Sequence, residues 1–192
     1  MATKRMIEKF SQMTKNEKRV AIARDVIAQL DAGIYRAQSD YFVPIDDFEG
    51  IVKHDNVRGK ACCVCAKGAI LLSRIGKFNH TPDYSVFELP DLAYDLSDNL
   101  KEFPDADEIE DAFEQNLGSC ADIMGHQDKL EDKYSENPIT QEKYDVACDS
   151  FVGQIDNFND LPAEDRMRII MQSIIDNKGK FKPLTLLNYE VV

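Results

Sequence analysis

The stretch "GKACCVCAKGAILLSRIGKF", residues 59–78, decides how the chain is organised. It places three cysteines within four positions and then turns almost wholly apolar. Ala61, Cys62, Cys65, Ala66, Gly68 and Ala69 are small, and Ile70, Leu71, Leu72 and Ile75 are large. A free cysteine behaves as a small buried hydrophobe, so the composition predicts a helix through the middle of the core. Gly68 inside that helix costs about 1 kcal/mol relative to alanine, which implies that another backbone or a ligand comes close. Two further readings use the same residues. Cys62 and Cys65, in C-x-x-C spacing, can chelate one zinc ion, but a structural site needs two more ligands. Cys120, His126, Cys148, His54 and His80 are the candidates, and no second C-x-x-C or H-x-x-x-H completes the set. A thiol at a helix N-terminus gains thiolate character. Redox motifs of the thioredoxin kind follow a strand, however, and here the preceding stretch is the polar "KHDNVRGK". The core helix is the reading favoured by composition.

Working outward, helices dominate. Met6, Ile7, Phe10 and Met13 give residues 1–13 one apolar side, a possible short appendage. Thr14 and Glu17 form a capping-box pattern ahead of "KNEKRVAIARDVIAQLDA", where Val20, Ala23, Ile27 and Leu30 recur at helical spacing and Gly33 marks the end. "IYRAQSDYFVPIDDFEGIVKH" lacks that period and predicts one or two short strands, with Pro44 restricting pairing to an edge. Leu92, Leu96 and Leu100 define a helix that Pro104 stops. "DADEIEDAFEQNLGSCADIMG" restarts it, with Asp105 or Asp107 as cap and Ile109, Phe113 and Leu117 as stripe. A further helix from about Thr140 turns Tyr144, Ala147, Cys148 and Phe151 inward. "LPAEDRMRIIMQSIIDNKG" has Pro162 in its first turn, a broad face of Met167, Ile170, Met171, Ile174 and Ile175, and Gly179 at its end. The tail "KFKPLTLLNYEVV" is β-prone and is expected to pair with the 35–52 region. The fold class predicted is mainly α with a small β-sheet, a single compact domain spanning residues 1–192.

Charge is the second strong signal. The chain carries a net charge of −12. Residues 83–165 hold 24 acidic and 4 basic side chains, whereas residues 1–82 hold 9 acidic and 14 basic. Such a middle segment repels phosphate backbones, which argues against nucleic-acid binding through it, and attracts a basic protein surface. Asp105, Asp107, Glu108 and Asp111 are its candidate partner-binding residues. No apolar run approaches the ~18 residues of a membrane span. The charged start "MATKRMIEKF" lacks a signal peptide's apolar stretch, and five cysteines do not make a secreted disulfide framework, so a cytoplasmic protein with reduced thiols is expected.

Catalytic patterns are wanting. "DADEIEDAFEQ" lacks the glycine of a calcium loop, "GKACCVCAKG" lacks the order of a P-loop, and no G-x-S-x-G elbow occurs. Paired carboxylates are so numerous that no single pair is informative. Gly68 together with Arg166 and Arg168 can frame an anion pocket, although basic residues opposite an apolar face are expected in any case.

Three stretches occur in order: "CCVCAKGA", with Cys62, Val64, Cys65, Ala66, Gly68 and Ala69; "IEDAFE", with Ile109, Glu110, Ala112, Phe113 and Glu114; and "NKGKFKP", with Asn177, Gly179, Phe181 and Pro183. This set resembles an uncharacterised family of small bacteriophage and bacterial proteins with the patterns C-x-V-C-A-x-G-A, I-E-x-A-F-E and N-x-G-x-F-x-P. The resemblance implies a phage or mobile-element accessory protein, and no catalytic residue comes with it. Three functions are then expected, in order. The first is non-enzymatic binding of a host or defence protein through an acidic surface. The second is a small-ligand binder, a nucleotide sponge that counters a signalling-based defence. The third is a metal- or thiol-dependent enzyme using Cys62 and Cys65, and no cofactor is expected outside its metal version, for which zinc is the candidate. Oligomeric state is not legible at this level.

Overall fold

A computed structural model describes residues 4–38, 62–74, 100–134 and 138–188, with backbone alone at 4–7, 62, 134, 138–141 and 188. Helix α1, Lys4–Ser11, leads into α2, Lys15–Asp31. The capping box closes as the sequence predicts. Glu17 N–H donates to Thr14 Oγ1 at 3.3 Å, and Thr14 N–H donates to Glu17 Oε2 at 2.8 Å. Gly33, in the left-handed region at φ 66°, ends the helix. Phe10 of α1 is buried in the common core, which ties the N-terminal segment to the rest of the chain.

Strand β1, Tyr35–Ala37, pairs in parallel with β2, Cys62–Val64, in the register Tyr35 to Cys62 and Ala37 to Val64. Helix α3, Ala66–Ser73, follows at once, with Cys65 as its N-cap. The predicted core helix therefore begins four residues later than composition suggests, because Cys62–Val64 joins a sheet whose other strand is remote in sequence. Its burial is as expected: every residue of α3 except Lys67 is buried.

Helix α4, Ala106–Phe113, ends at Gln115, which has φ 67°, and a 3₁₀ turn at Leu117–Ser119 precedes α5, Ala121–Tyr134. The single helix expected over this stretch is thus two helices with a left-handed hinge. The apolar stripe survives the break, since Ile109, Phe113 and Leu117 are all buried. Helix α6, Pro138–Asn159, pairs with α5 as a hairpin, and α7, Ala163–Asp176, packs along α2. Lys178 and Gly179 leave α7 with positive φ, and at Gly179 the chain passes Asn16 so closely that a Cβ would lie 2.4 Å from the Asn16 carbonyl oxygen.

The tail does not form the expected strand where it is described. Pro183–Asn188 winds as a 3₁₀ helix. Leu186 is buried, and the Thr185 hydroxyl meets Ser173 Oγ at 2.7 Å and accepts from Asn177 Nδ2 at 3.2 Å. These tertiary anchors outweigh a local β preference. The helix predicted around Leu92 and Leu96, the strands beyond residue 38, and the residues His54, Ala61, Ile75 and His80 lie outside the described residues. One apolar core runs from Phe10 to Leu186, and no helix among the described residues is long and apolar enough to cross a membrane.

Candidate functional site

The N-terminus of α3 is the chemically densest point near the cysteines. The Cys65 sulfur accepts from Gly68 N–H at 3.4 Å, and the Glu110 carboxylate of α4 accepts from Lys67 N–H at 2.9 Å and from the Cys65 thiol. Helix N-termini ordinarily lower a thiol's pKa. Here burial, reinforced by the Glu110 charge, raises the Cys65 pKa instead. Burial likewise raises Glu110 above the usual carboxylate range. Cys120, whose thiol donates to the Glu108 carbonyl at 3.5 Å, is pushed up to about 12 by burial and by Glu108, Asp111 and Asp122. Protonated, enclosed thiols are poor nucleophiles and poor metal ligands. Among the described residues, no three His, Cys, Asp or Glu side chains gather as a metal-holding set, and of Cys62 only the backbone is described.

The anion candidates separate. Gly68 lies within α3, its N–H directed to Cys65. Arg166 is buried, and its guanidinium donates to the carbonyls of Phe113 at 2.8 Å, Asn159 at 3.1 Å and Leu161, while lying over the Phe113 ring. It closes the C-terminal ends of α4 and α6, whose last carbonyls have no partner within the helix. Arg168 pairs instead with Asp31 at the end of α2. Residues two apart on a helix face different ways, so Arg166 and Arg168 do not converge.

The four acidic candidates of α4 also part company. Asp105 stands at the N-cap position without capping the helix, and its carboxylate pairs with Arg19 at 2.6 Å. Arg19 is buried under this pair and over the Phe103 ring. Asp107 is exposed and pairs with Lys67 at 2.6 Å, while Glu108 and Asp111 are half-buried. A docking surface on α4 would thus compete with contacts that hold α4 to α2 and α3.

An exposed acidic face lies on α6. At 100° per residue, Glu142, Asp145, Val146, Asp149, Val152 and Asp156 fall on one stripe roughly 120° wide. All six are exposed, Val146 at 66% and Val152 at 44%. Phe151, Ile155 and Phe158 occupy the opposite side and are buried, with Phe151 stacked at 4.7 Å on His126 of α5. Asp128, Glu131 and Asp132 of α5 extend the exposed acidity. Of the residues expected inward on this helix, Phe151 is buried and Tyr144, Ala147 and Cys148 are half-buried, and the sequence reading passed over the outward acids. The signal was available, because the acids recur three, four and seven apart, out of phase with the apolar residues.

No family model matches the chain, and no curated protein or solved structure matches it.

Proposed function

We propose that this chain is a phage-type accessory protein that acts by binding, without catalysis, a host or defence protein carrying a basic face. The observation that supports this is the α6 stripe, four carboxylates and two exposed valines on one side of a helix whose other side buries Phe151, Ile155 and Phe158. Exposed apolar groups within a charged rim are the composition of a recognition surface. Carboxylates of one sign steer a basic partner and fix its register, and the valines supply area that is desolvated on contact. The deeply protonated Cys65 favours this reading over thiol chemistry.

The test uses a synthetic amphipathic peptide rich in lysine and arginine as probe. Asp145→Asn/Asp149→Asn/Asp156→Asn is expected to weaken binding about tenfold or more, with an affinity that falls as salt screens the contact beyond ~8 Å. A control of equal charge change, Asp128→Asn/Glu131→Gln/Asp132→Asn, leaves binding within about twofold. Equal losses in both variants would reduce the effect to net charge and sink the stripe as a site. Host-lysate capture by the wild type and the stripe variant, at two salt concentrations, then identifies the physiological partner.

A further inference from the structure

A groove of about 500 Å³ opens on another face, between α1, α2 and the end of α7. Its floor is apolar, made by Met13, Val20, Ala21 and Ile175. Its rim is cationic, made by Lys9, Arg24 and Lys178, all exposed. Among the described residues, none of these three cations has an ion-pair partner. Among the described residues that line the groove, the one carboxylate, Glu17, is engaged by the capping box with Thr14. Lys178 precedes Gly179, where the chain passes close to the Asn16 backbone.

This groove has the chemistry complementary to the α6 stripe: cations around apolar residues facing carboxylates around valines. Asn16 to Arg24 covers about 12 Å of α2 and Glu142 to Asp156 about 21 Å of α6 at the helical rise, so the groove spans roughly half of the stripe. From this match we infer that the groove binds the α6 stripe of a second copy of the chain. The inference rests on the stripe proposed above as the partner surface. Because groove and stripe are different surfaces, the contact is head-to-tail, and each assembly keeps one unfilled groove and one unfilled stripe unless the rotation closes a ring. Self-association also covers the stripe, so a basic partner and a second copy compete for it. The contact is small and its charges are exposed, so it forms at high protein concentration and dissolves in salt.

Sedimentation velocity over a concentration series at low and high salt tests this. At low salt, the weight-average mass of the wild type is expected to rise from the 21.8 kDa of one chain to twice that or more, and to return to one chain at high salt. Lys9→Glu/Arg24→Glu and, separately, Asp149→Lys/Asp156→Lys are expected to stay at the mass of one chain. All four positions are exposed, so both variants fold, which circular dichroism verifies. Mixing the two variants pairs the reversed groove with the reversed stripe and restores the association. A wild type that remains a single chain at every concentration, an association indifferent to the groove variant, or a mixture that does not associate would each overturn the inference. The groove variant keeps its stripe and still binds the basic peptide. If the peptide binds neither protein while the wild type self-associates, the partner reading fails and this one stands.

Discussion

Both the α2–α3–α4–α7 core and the α5–α6 hairpin are rich in carboxylates, and they place them in opposite ways. In the core, Asp105 reaches Arg19, Glu102 reaches Arg74 at 3.0 Å, and Asp25 accepts from Gln29 at 3.2 Å, all three within or beneath the packed layer. In the hairpin, Asp128, Asp149 and Asp156 stand in solvent. The cause is phase. Asp105 and Glu102 flank Phe103, which is buried, so their charges are drawn out of water and need a partner. Asp149 and Asp156 sit about 100–160° around α6 from Phe151 and Ile155 and keep their hydration. Formal charge along a sequence therefore gives an acidic segment, while its offset from the apolar stripe gives the role of each acid.

The largest expected effect comes from the same substitution made in both regions. Asp105→Ala leaves the buried Arg19 guanidinium without its counter-charge and is expected to cost about 3–5 kcal/mol. Asp149→Ala is expected to stay within about 0.5 kcal/mol of wild type. Urea unfolding of the two variants checks the difference. Arg19 Nε and Asp105 Oδ1 are buried with no hydrogen-bond partner among the described residues, so the pair is only half satisfied. Arg19→Met/Asp105→Leu is accordingly expected to recover most of the loss. If Asp105→Ala costs no more than Asp149→Ala, the contrast between the regions collapses.

Two glycines sharpen it with opposite signs. At Gly179, φ is +87° and a Cβ would meet the Asn16 backbone, so Gly179→Ala is expected to destabilise by about 2–3 kcal/mol. At Gly153, inside α6, a Cβ would meet nothing within 4 Å. There alanine removes only the entropic cost of glycine in a helix and is expected to stabilise by about 0.5–1 kcal/mol. Thermal melts of both variants read the two signs directly. Loss of stability at both positions would mean that the hairpin is as tightly constrained as the α2–α7 joint.

The same contrast explains what was legible in the sequence. The helices with a clear apolar period and local end signals, α2 and α7, stand close to where Thr14, Glu17, Pro162 and Gly179 put them, with Pro162 just ahead of the first turn of α7 rather than in it. The break at Gln115 was not legible, since the apolar stripe continues through it and the left-handed residue is a glutamine, with Asn116 and Gly118 only in the turn that follows. The strand at Cys62–Val64 and the 3₁₀ turn at Pro183–Asn188 depend on partners distant in sequence, Tyr35–Ala37 and the end of α7. Arg166 looked like a surface cation because its true partners are three backbone carbonyls, which carry no residue signature. The acidic character of the middle segment was plain, and the partner of each acid was not. Asp105, Asp107, Glu108 and Asp111 are the densest acids by spacing, but density does not reveal that Arg19 and Lys67 face two of them.

The smallest effect tests whether burial alone sets a carboxylate apart in the core. Glu110 holds the Lys67 N–H at the start of α3 and has its pKa raised from 4.5, chiefly by burial. The folded state thus binds the Glu110 proton more tightly than the unfolded chain does. Unfolding releases that proton, so stability is greatest at or below pH 4.5 and declines as pH climbs through the raised value. Glu110→Gln retains an acceptor for Lys67 and has no charge to desolvate, so this part of the decline is absent from the variant. Its stability relative to wild type is expected to increase between pH 4.5 and neutrality, read as the difference between paired urea midpoints. A gap that does not change with pH would place Glu110 with the solvated acids of α6, and the boundary between the two regions would have to be drawn on the other side of α4.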